Sequence, residues 1–152
     1  MVNMKMKTLN QEEVMEGDYK GKRVDNGEWA CGYLMDKNVI CQGTTYDDYV
    51  DIVAVNPVLV KPETVSQWTG LRDKNKKKIY YNDVLKGENG KYWVVKKGKL
   101  AIHLKCVKWR GDECNEEYDI ITYSKLLKRG GREFEDYFIV VGNIHDNPEF
   151  RR

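Results

Sequence analysis

The stretch Gln67-Trp-Thr-Gly70-Leu-Arg-Asp73-Lys-Asn75-Lys-Lys-Lys78-Ile-Tyr80-Tyr-Asn-Asp83-Val-Leu85 decides how the chain is read. It opens with an aromatic-plus-glycine segment, Trp68-Thr69-Gly70-Leu71, whose glycine predicts a turn. A lysine-rich loop from Asp73 to Lys78 follows. Asp73 and Asn75 within it are residues whose short polar side chains bond the nearby backbone and tighten a corner. From Ile79 an apolar alternating run begins, and a period of two belongs to a half-buried strand. This is the punctuation of an antiparallel β protein, with no catalytic motif in it.

Working outward toward the C-terminus, Asn82-Asp83 turns the chain into Val84-Leu85-Lys86, and Glu88-Asn89-Gly90 turns it again. Lys91–Lys96 and Leu100–Cys106 read as two further strands hinged at Lys97-Gly98-Lys99. Short strands with tight glycine corners predict a small curled sheet of SH3-like barrel size. Residues 111–136 are the least regular. Ile120–Leu127 fits strand or helix, because periodicity over so short a run does not decide. Tyr137–Val141 reads as a last strand, closed by Gly142-Asn143.

Toward the N-terminus, Lys20–Val24 and Glu28–Leu34 flank Asp25-Asn26-Gly27, which predicts a hairpin with a type I′ turn. Asp36-Lys37-Asn38 then separates Trp29–Met35 from Val39–Cys41, completing a meander. Val50–Val60 is rich in β-branched residues but broken by Asn56-Pro57, so it is expected at a sheet edge. Asn10 caps a short predicted helix ended by Gly17. The expected layout is an N-terminal extension, 1–18, and one mainly β domain, 19–152. Within that domain, 19–66 form the meander and 67–152 the barrel portion with the C-terminal strand.

With 152 residues, 41% hydrophobic and 33% charged, the chain can bury a core under a solvated surface. It holds no apolar run long enough to span a membrane and no apolar segment behind Lys5 and Lys7, so a cytoplasmic protein is expected. Cys31, Cys41, Cys106 and Cys114 include no closely spaced pair of the kind zinc and redox sites use. They are expected as reduced, buried or half-buried thiols; Cys31 and Cys41 could face each other across a hairpin, which would allow a bridge only under oxidising conditions.

The net charge of +2 conceals an asymmetry. Residues 1–71 carry −4, residues 72–110 carry +10 and residues 111–152 carry −4. A basic centre is either a footprint for a polyanion or a surface that the acidic flanks or a neighbouring subunit neutralise. Tyr80, Tyr81, Tyr92, Trp93 and Trp109 are interleaved with these lysines, as a single-stranded nucleic-acid platform requires. Alternation within strands equally predicts that some of these rings fill the core.

Enzymatic chemistry finds little support. Of the two histidines, His103 falls inside an apolar strand and His145 in an asparagine-rich turn. Neither a nucleophile elbow nor a phosphate-binding loop is present. Asp47-Asp48 and Glu116-Glu117 are adjacent acids whose side chains diverge on a strand, which argues against a metal site. No cofactor, catalytic residue or metal ligand is assigned.

Four blocks together resemble the YopX family of small phage and prophage proteins: Gly21–Trp29, Gln67–Asn75, Ile79-Tyr80 with Asp83-Val84, and Val141–Ile144 with Asn147-Pro148-Glu149. They span nearly the whole chain in the family's order. Where the family pattern reads D-K-N-G-K-x-I-Y-E-G-D, Lys76 stands at the first glycine and Tyr81-Asn82 at Glu-Gly. Asn75 and Asn82 tolerate left-handed backbone, so both turns are expected to survive. The resemblance implies a mainly β protein with an SH3-like portion in a bacterial host cell, and carries no activity over.

The expectation is therefore a non-enzymatic binding module acting through contacts with an unidentified host or phage protein, or through self-association into a homo-oligomer. Nucleic acid bound by segment 72–110 is the alternative. The candidate surface comprises Lys74, Lys76, Lys77, Lys78, Tyr81, Lys91, Lys96, Lys97 and Lys99.

Overall fold

The structure, a computed structural model, describes residues 19–45 and 53–151. The expected helix near Asn10–Glu16 and the pair Asp47-Asp48 lie outside them. The protein is mainly β: among the described residues 51% are strand, in two antiparallel sheets with one short α-helix. The chain divides into two compact units between Trp68 and Thr69.

The first unit holds β1 (Tyr19–Lys22), β2 (Trp29–Asp36), β3 (Val39–Thr45) and β4 (Val53–Leu59), in the order β4-β3-β2-β1. Ser66 and Gln67, the start of β5 (Ser66–Arg72), add beside β1. Ala30, Ile40 and Val60 form its buried centre, with Tyr19, Leu34, Val58 and Val65 packed around them. β4 takes the edge, as its Asn56-Pro57 break predicts. Asn56 is left-handed (φ 52°), and Pro57 has no N–H to offer a further strand.

The β1–β2 corner differs from the expected type I′ turn. Gly27 is left-handed (φ 73°) and Asn26 is not. Asn26 Oδ1 instead accepts the Glu28 N–H at 2.9 Å, which holds the asparagine in ordinary backbone space. A longer loop with one left-handed glycine at its end gives the hairpin its twist. Trp68–Leu71 also departs from expectation: the segment lies inside β5, with Gly70 (φ 88°) placing an irregularity within the strand where a turn was expected.

The second unit continues from Thr69. β6 (Lys78–Tyr80) hydrogen-bonds to β5. β7 (Asp83–Gly87), β8 (Tyr92–Lys97), β9 (Ile102–Lys108), β10 (Glu117–Asp119) and β11 (Phe138–Asn143) form an antiparallel sheet ordered β10-β9-β8-β7-β11. That order has two ends, and no closed barrel is found among the described residues. One face buries Leu85, Trp93, Val95, Leu104, Cys106 and Phe138. The opposite face buries Val84, Val94 and Val107 beneath Tyr92, Ile144 and Phe150. Each large side chain so buried contributes about 1.5–3 kcal/mol, which places most of this unit's stability in the first face.

The ambiguous segment is a helix, α1 (Ile120–Arg129). Asp119 caps it, accepting the Thr122 N–H at 2.7 Å and the Thr122 hydroxyl at 3.0 Å. Tyr123 and Leu127, four residues apart, bury one side of it against the sheet, while Lys128 and Arg129 suit its C-terminal dipole. The Tyr123 ring lies 5.0 Å from Trp93 and 5.7 Å from Phe138 between centroids. Burial, reinforced by the neighbouring Tyr137, pushes its hydroxyl well above the usual tyrosine range.

The cysteines correct another expectation. Cys106, on β9, is joined to Cys114 by a disulfide, with Cα atoms 5.4 Å apart. The sequence separation of eight hid the pairing, because a tight Trp109–Asp112 turn folds the intervening residues back on themselves. Cys41 lies opposite Tyr33 in the β2–β3 register, so Cys31 and Cys41 are not cross-strand partners.

Candidate functional site

The lysine-rich loop is built on Asp73, which is 2% exposed. Its Oδ1 accepts the N–H groups of Asn75 and Lys77, both at 2.8 Å, and its Oδ2 accepts the Val140 N–H at 2.9 Å. The Lys74 N–H reaches the Phe138 carbonyl at 2.9 Å. A buried carboxylate thus ties the loop both to itself and to β11. Lys76, not Asn75, carries the left-handed backbone (φ 67°), at the position where the family pattern has glycine. Asn82 is left-handed as expected (φ 72°).

The other blocks of the resemblance are likewise structural. Asp83, buried, accepts the Tyr80 N–H at 2.8 Å. Asn143, also buried, accepts the N–H groups of His145 and Asp146 at 2.9 Å each and donates to Asp146 Oδ2 at 2.9 Å. The Asn143 N–H reaches Asn147 Oδ1, which occupies the space a side chain at Gly142 would take. Aspartates and asparagines at these places hold corners together through backbone bonds.

The predicted surface lysines differ in exposure and in partners. Lys74, Lys76, Lys77, Lys97 and Lys99 are exposed, and among the described residues none of them pairs with a carboxylate. Lys78 is buried and leaves the candidate surface. Lys91 is bound to Glu116 at 2.8 Å. Lys96 is half-buried with its amine 3.5 Å from Asn82 Oδ1. Burial, with the Lys105 charge beside it, lowers the Lys96 pKa. Tyr81 is half-buried, with the Lys97 amine 5.9 Å from its ring centre.

Acidic residues of the C-terminal flank answer part of the basic centre. Glu116 pairs with Lys91, while Glu117, its neighbour, lies 3.9 Å from both Lys105 and His103 Nε2. The two acids diverge as strand alternation predicts. Arg132 and Glu88 form a further ion pair.

The aromatic rings are largely occupied. Trp93 and Tyr80 are buried. Tyr92 stacks on Phe150 with centroids 5.6 Å apart. Trp109 carries Lys91 and Arg110 at 4.7 and 4.6 Å from its ring, and its indole N–H donates to the Asn89 carbonyl at 3.2 Å. Within segment 72–110, Tyr80 and Trp93 are thus closed to a stacking base, and Tyr92 and Trp109 each already carry a partner on the ring.

One concave feature lies at the tip of the β8–β9 hairpin. The expected strand Leu100–Cys106 begins only at Ile102, because Gly98 N–H bonds the Ala101 carbonyl at 3.0 Å and closes a turn. Leu100 is left 100% exposed on that turn. Between it and Ile121 in the first turn of α1 runs an open groove of about 420 Å³, lined also by Lys99, His103, Asp119 and Thr122. His103 and Asp119 lie opposite each other in the β9–β10 register. The Thr122 N–H and hydroxyl, with lesser help from His103, hold the Asp119 carboxyl below the usual carboxylate range. That carboxylate serves as the cap of α1. Sequence patterning missed Leu100 and Ile121 because each sits in an apolar run that reads as core.

Two comparisons bear on this arrangement. The family model described as YopX protein matches residues 4–150. No curated protein matches the chain.

Proposed function

The chain belongs to the YopX family, and from that premise we propose that it is a non-enzymatic binding module acting through protein–protein contacts or self-association. In this reading it is a phage- or prophage-encoded accessory protein of the bacterial cytoplasm, and its second unit serves as an SH3-like platform. One observation carries the reading: large apolar side chains stand in solvent in each unit. In the first, Val24, Tyr33, Met35 and Leu59 are exposed; in the second, Leu100 and Ile121 are. Val24 and Leu59 stand side by side, the Val24 N–H donating to the Leu59 carbonyl at 3.0 Å, and it is apolar groups gathered into one patch, rather than scattered singly, that mark a contact surface.

The test is light scattering on the purified protein together with recovery of a tagged copy from bacterial cells. A defined oligomer, or one protein partner in stoichiometric amount that survives nuclease treatment, is the expected outcome. A strict monomer recovering no protein partner would remove the proposal.

A second reading, single-stranded nucleic acid, is favoured by the exposed lysines of the 73–77 loop and of the β8–β9 hairpin, which lack carboxylate partners among the described residues. Mobility shift with short DNA and RNA across a salt series decides it, because the electrostatic part of such binding is strongest at low salt. Absence of a shift there eliminates nucleic acid.

A further inference from the structure

We propose that the apolar patch of Val24, Tyr33, Met35 and Leu59 in the first unit receives a second copy of this chain, packed across a twofold axis as a reversible dimer. The proposal rests on the protein-binding reading above and names the surface and its occupant.

The first argument is that these side chains are gathered at one end of the sheet. Val24 meets Leu59 through the 3.0 Å backbone bond. Leu59 on β4 stands opposite Val39 on β3, and Val39 stands opposite Asp36 on β2, next to Met35. Alternation turns Leu34, Ile40 and Val58 to the core, which leaves Tyr33, Val39 and Leu59 on the other face. An antiparallel sheet that faces water is polar on its outer side, and this one is apolar on both. The four side chains are between 42% (Tyr33) and 59% (Leu59) exposed. Together they offer on the order of 400 Å², about half of what each partner buries in a standard interface, so the dimer exchanges.

The second argument is charge. Arg23 and Asp25, which flank Val24, answer each other at 2.8 Å. At the opposite border the exposed corner Asp36-Lys37 sets both signs side by side, and neither residue pairs with an opposite charge among the described residues. Such a corner is complementary to itself. Across a twofold axis one copy's Asp36 meets the other's Lys37, and the reverse. A polyanion finds no excess of positive charge here.

The third argument is the size of the core beneath. Its buried centre is Ala30, Ile40 and Val60, and no bridge joins Cys31 and Cys41. Small cores gain stability from a crosslink, a metal or another copy of the chain. A second copy is always present in equal amount.

The experiment is sedimentation velocity on the full chain from micromolar to near-millimolar concentration. A monomer–dimer equilibrium is expected. Leu59→Asp and Met35→Asp should each weaken it by roughly tenfold or more, because each places an unpaired charge in the contact. Asp36→Lys and Lys37→Asp should each weaken it severalfold alone. An equimolar mixture of those two variants should recover the association, because opposite corners then meet. Leu126→Asp, on the exposed side of α1, should change nothing. Leu59 and Met35 are both more than half exposed, and circular dichroism verifies the fold of their variants.

A dimer indifferent to Leu59→Asp and Met35→Asp overturns the patch; if Leu100→Asp dissolves it instead, self-association through the other unit stands. A mixture of the charge variants that stays monomeric overturns the twofold packing. A monomer that binds a different protein, or floats with phosphatidylcholine vesicles, only while Leu59 is intact replaces the second copy by that partner. A strict monomer that recovers no protein overturns both this proposal and the reading beneath it.

Discussion

The Asp73 carboxylate accepts the Val140 backbone N–H at 2.9 Å, joining positions 67 residues apart. Two more N–H groups, from Asn75 and Lys77, share the same buried side chain. One acid therefore shapes the loop and fastens it to the last strand. Asp73→Ala orphans all three donors and should destabilise the protein by about 3–5 kcal/mol, read as a lower midpoint in urea. Asp73→Asn keeps a carbonyl oxygen for some of them and should lose clearly less.

Lys76 is held in left-handed backbone at φ 67°. A residue with a Cβ there is strained by about 1–2 kcal/mol, and glycine removes the strain but loses more entropy on folding. Lys76→Gly should therefore stabilise by a net of about 0.5–1 kcal/mol in chemical denaturation. Loss of stability would show that the loop relies on the Lys76 side chain.

The Cys106–Cys114 bridge closes a short loop whose turn carries Trp109. Loop-closure entropy for that length gives about 2–3 kcal/mol, which reductant should abolish. Thermal unfolding with and without dithiothreitol measures it, and Cys106→Ala with Cys114→Ala should erase the difference between the two conditions.

Asp119 has its folded carboxyl value held below the ordinary 3.8. Its stabilising contribution is present above the unfolded value and is lost as pH falls through the folded one. Helix signal should accordingly decline in acid. Asp119→Asn, which still caps but does not titrate, should flatten that part of the profile. An unchanged acid profile in the variant would assign the decline to other carboxylates.

Lys96 has the opposite sense. Its folded value is depressed by burial and by Lys105, so the charged amine disfavours the fold at neutral pH. The penalty disappears as pH rises above the unfolded lysine's 10.5. Lys96→Met should stabilise by a few tenths to about 1 kcal/mol, the modest figure reflecting solvent screening of a half-exposed group. Equal unfolding midpoints for the two proteins at neutral pH would refute this.

Much of the fold was legible because its signals are local. The apolar run beginning near Ile79, the break at Asn56-Pro57 and the run Tyr137–Val141 marked strands, although β6 and β7 are buried on both faces where alternation had predicted half-burial. Turn types were less legible: Asn26-Gly27 promised two left-handed residues, but the side chain of Asn26 bonded Glu28 and left only one. Ile120–Leu127 became a helix through an aspartate cap and the packing of Tyr123 on Trp93, a ring 30 positions earlier in the chain. The candidate surface was legible as composition alone. Buried Lys78 and exposed Leu100 look interchangeable with their neighbours until burial is assigned.

The amino-acid order alone determined where this chain extends and where it bends, because alternation, proline and asparagine act on their own backbone within a few residues. Which rings are covered, which lysines are answered by acids, which cysteines meet and which leucine stays in water were decided only by the folded whole. Those outcomes depend on desolvation and charge, which are fixed by neighbours far away in the chain.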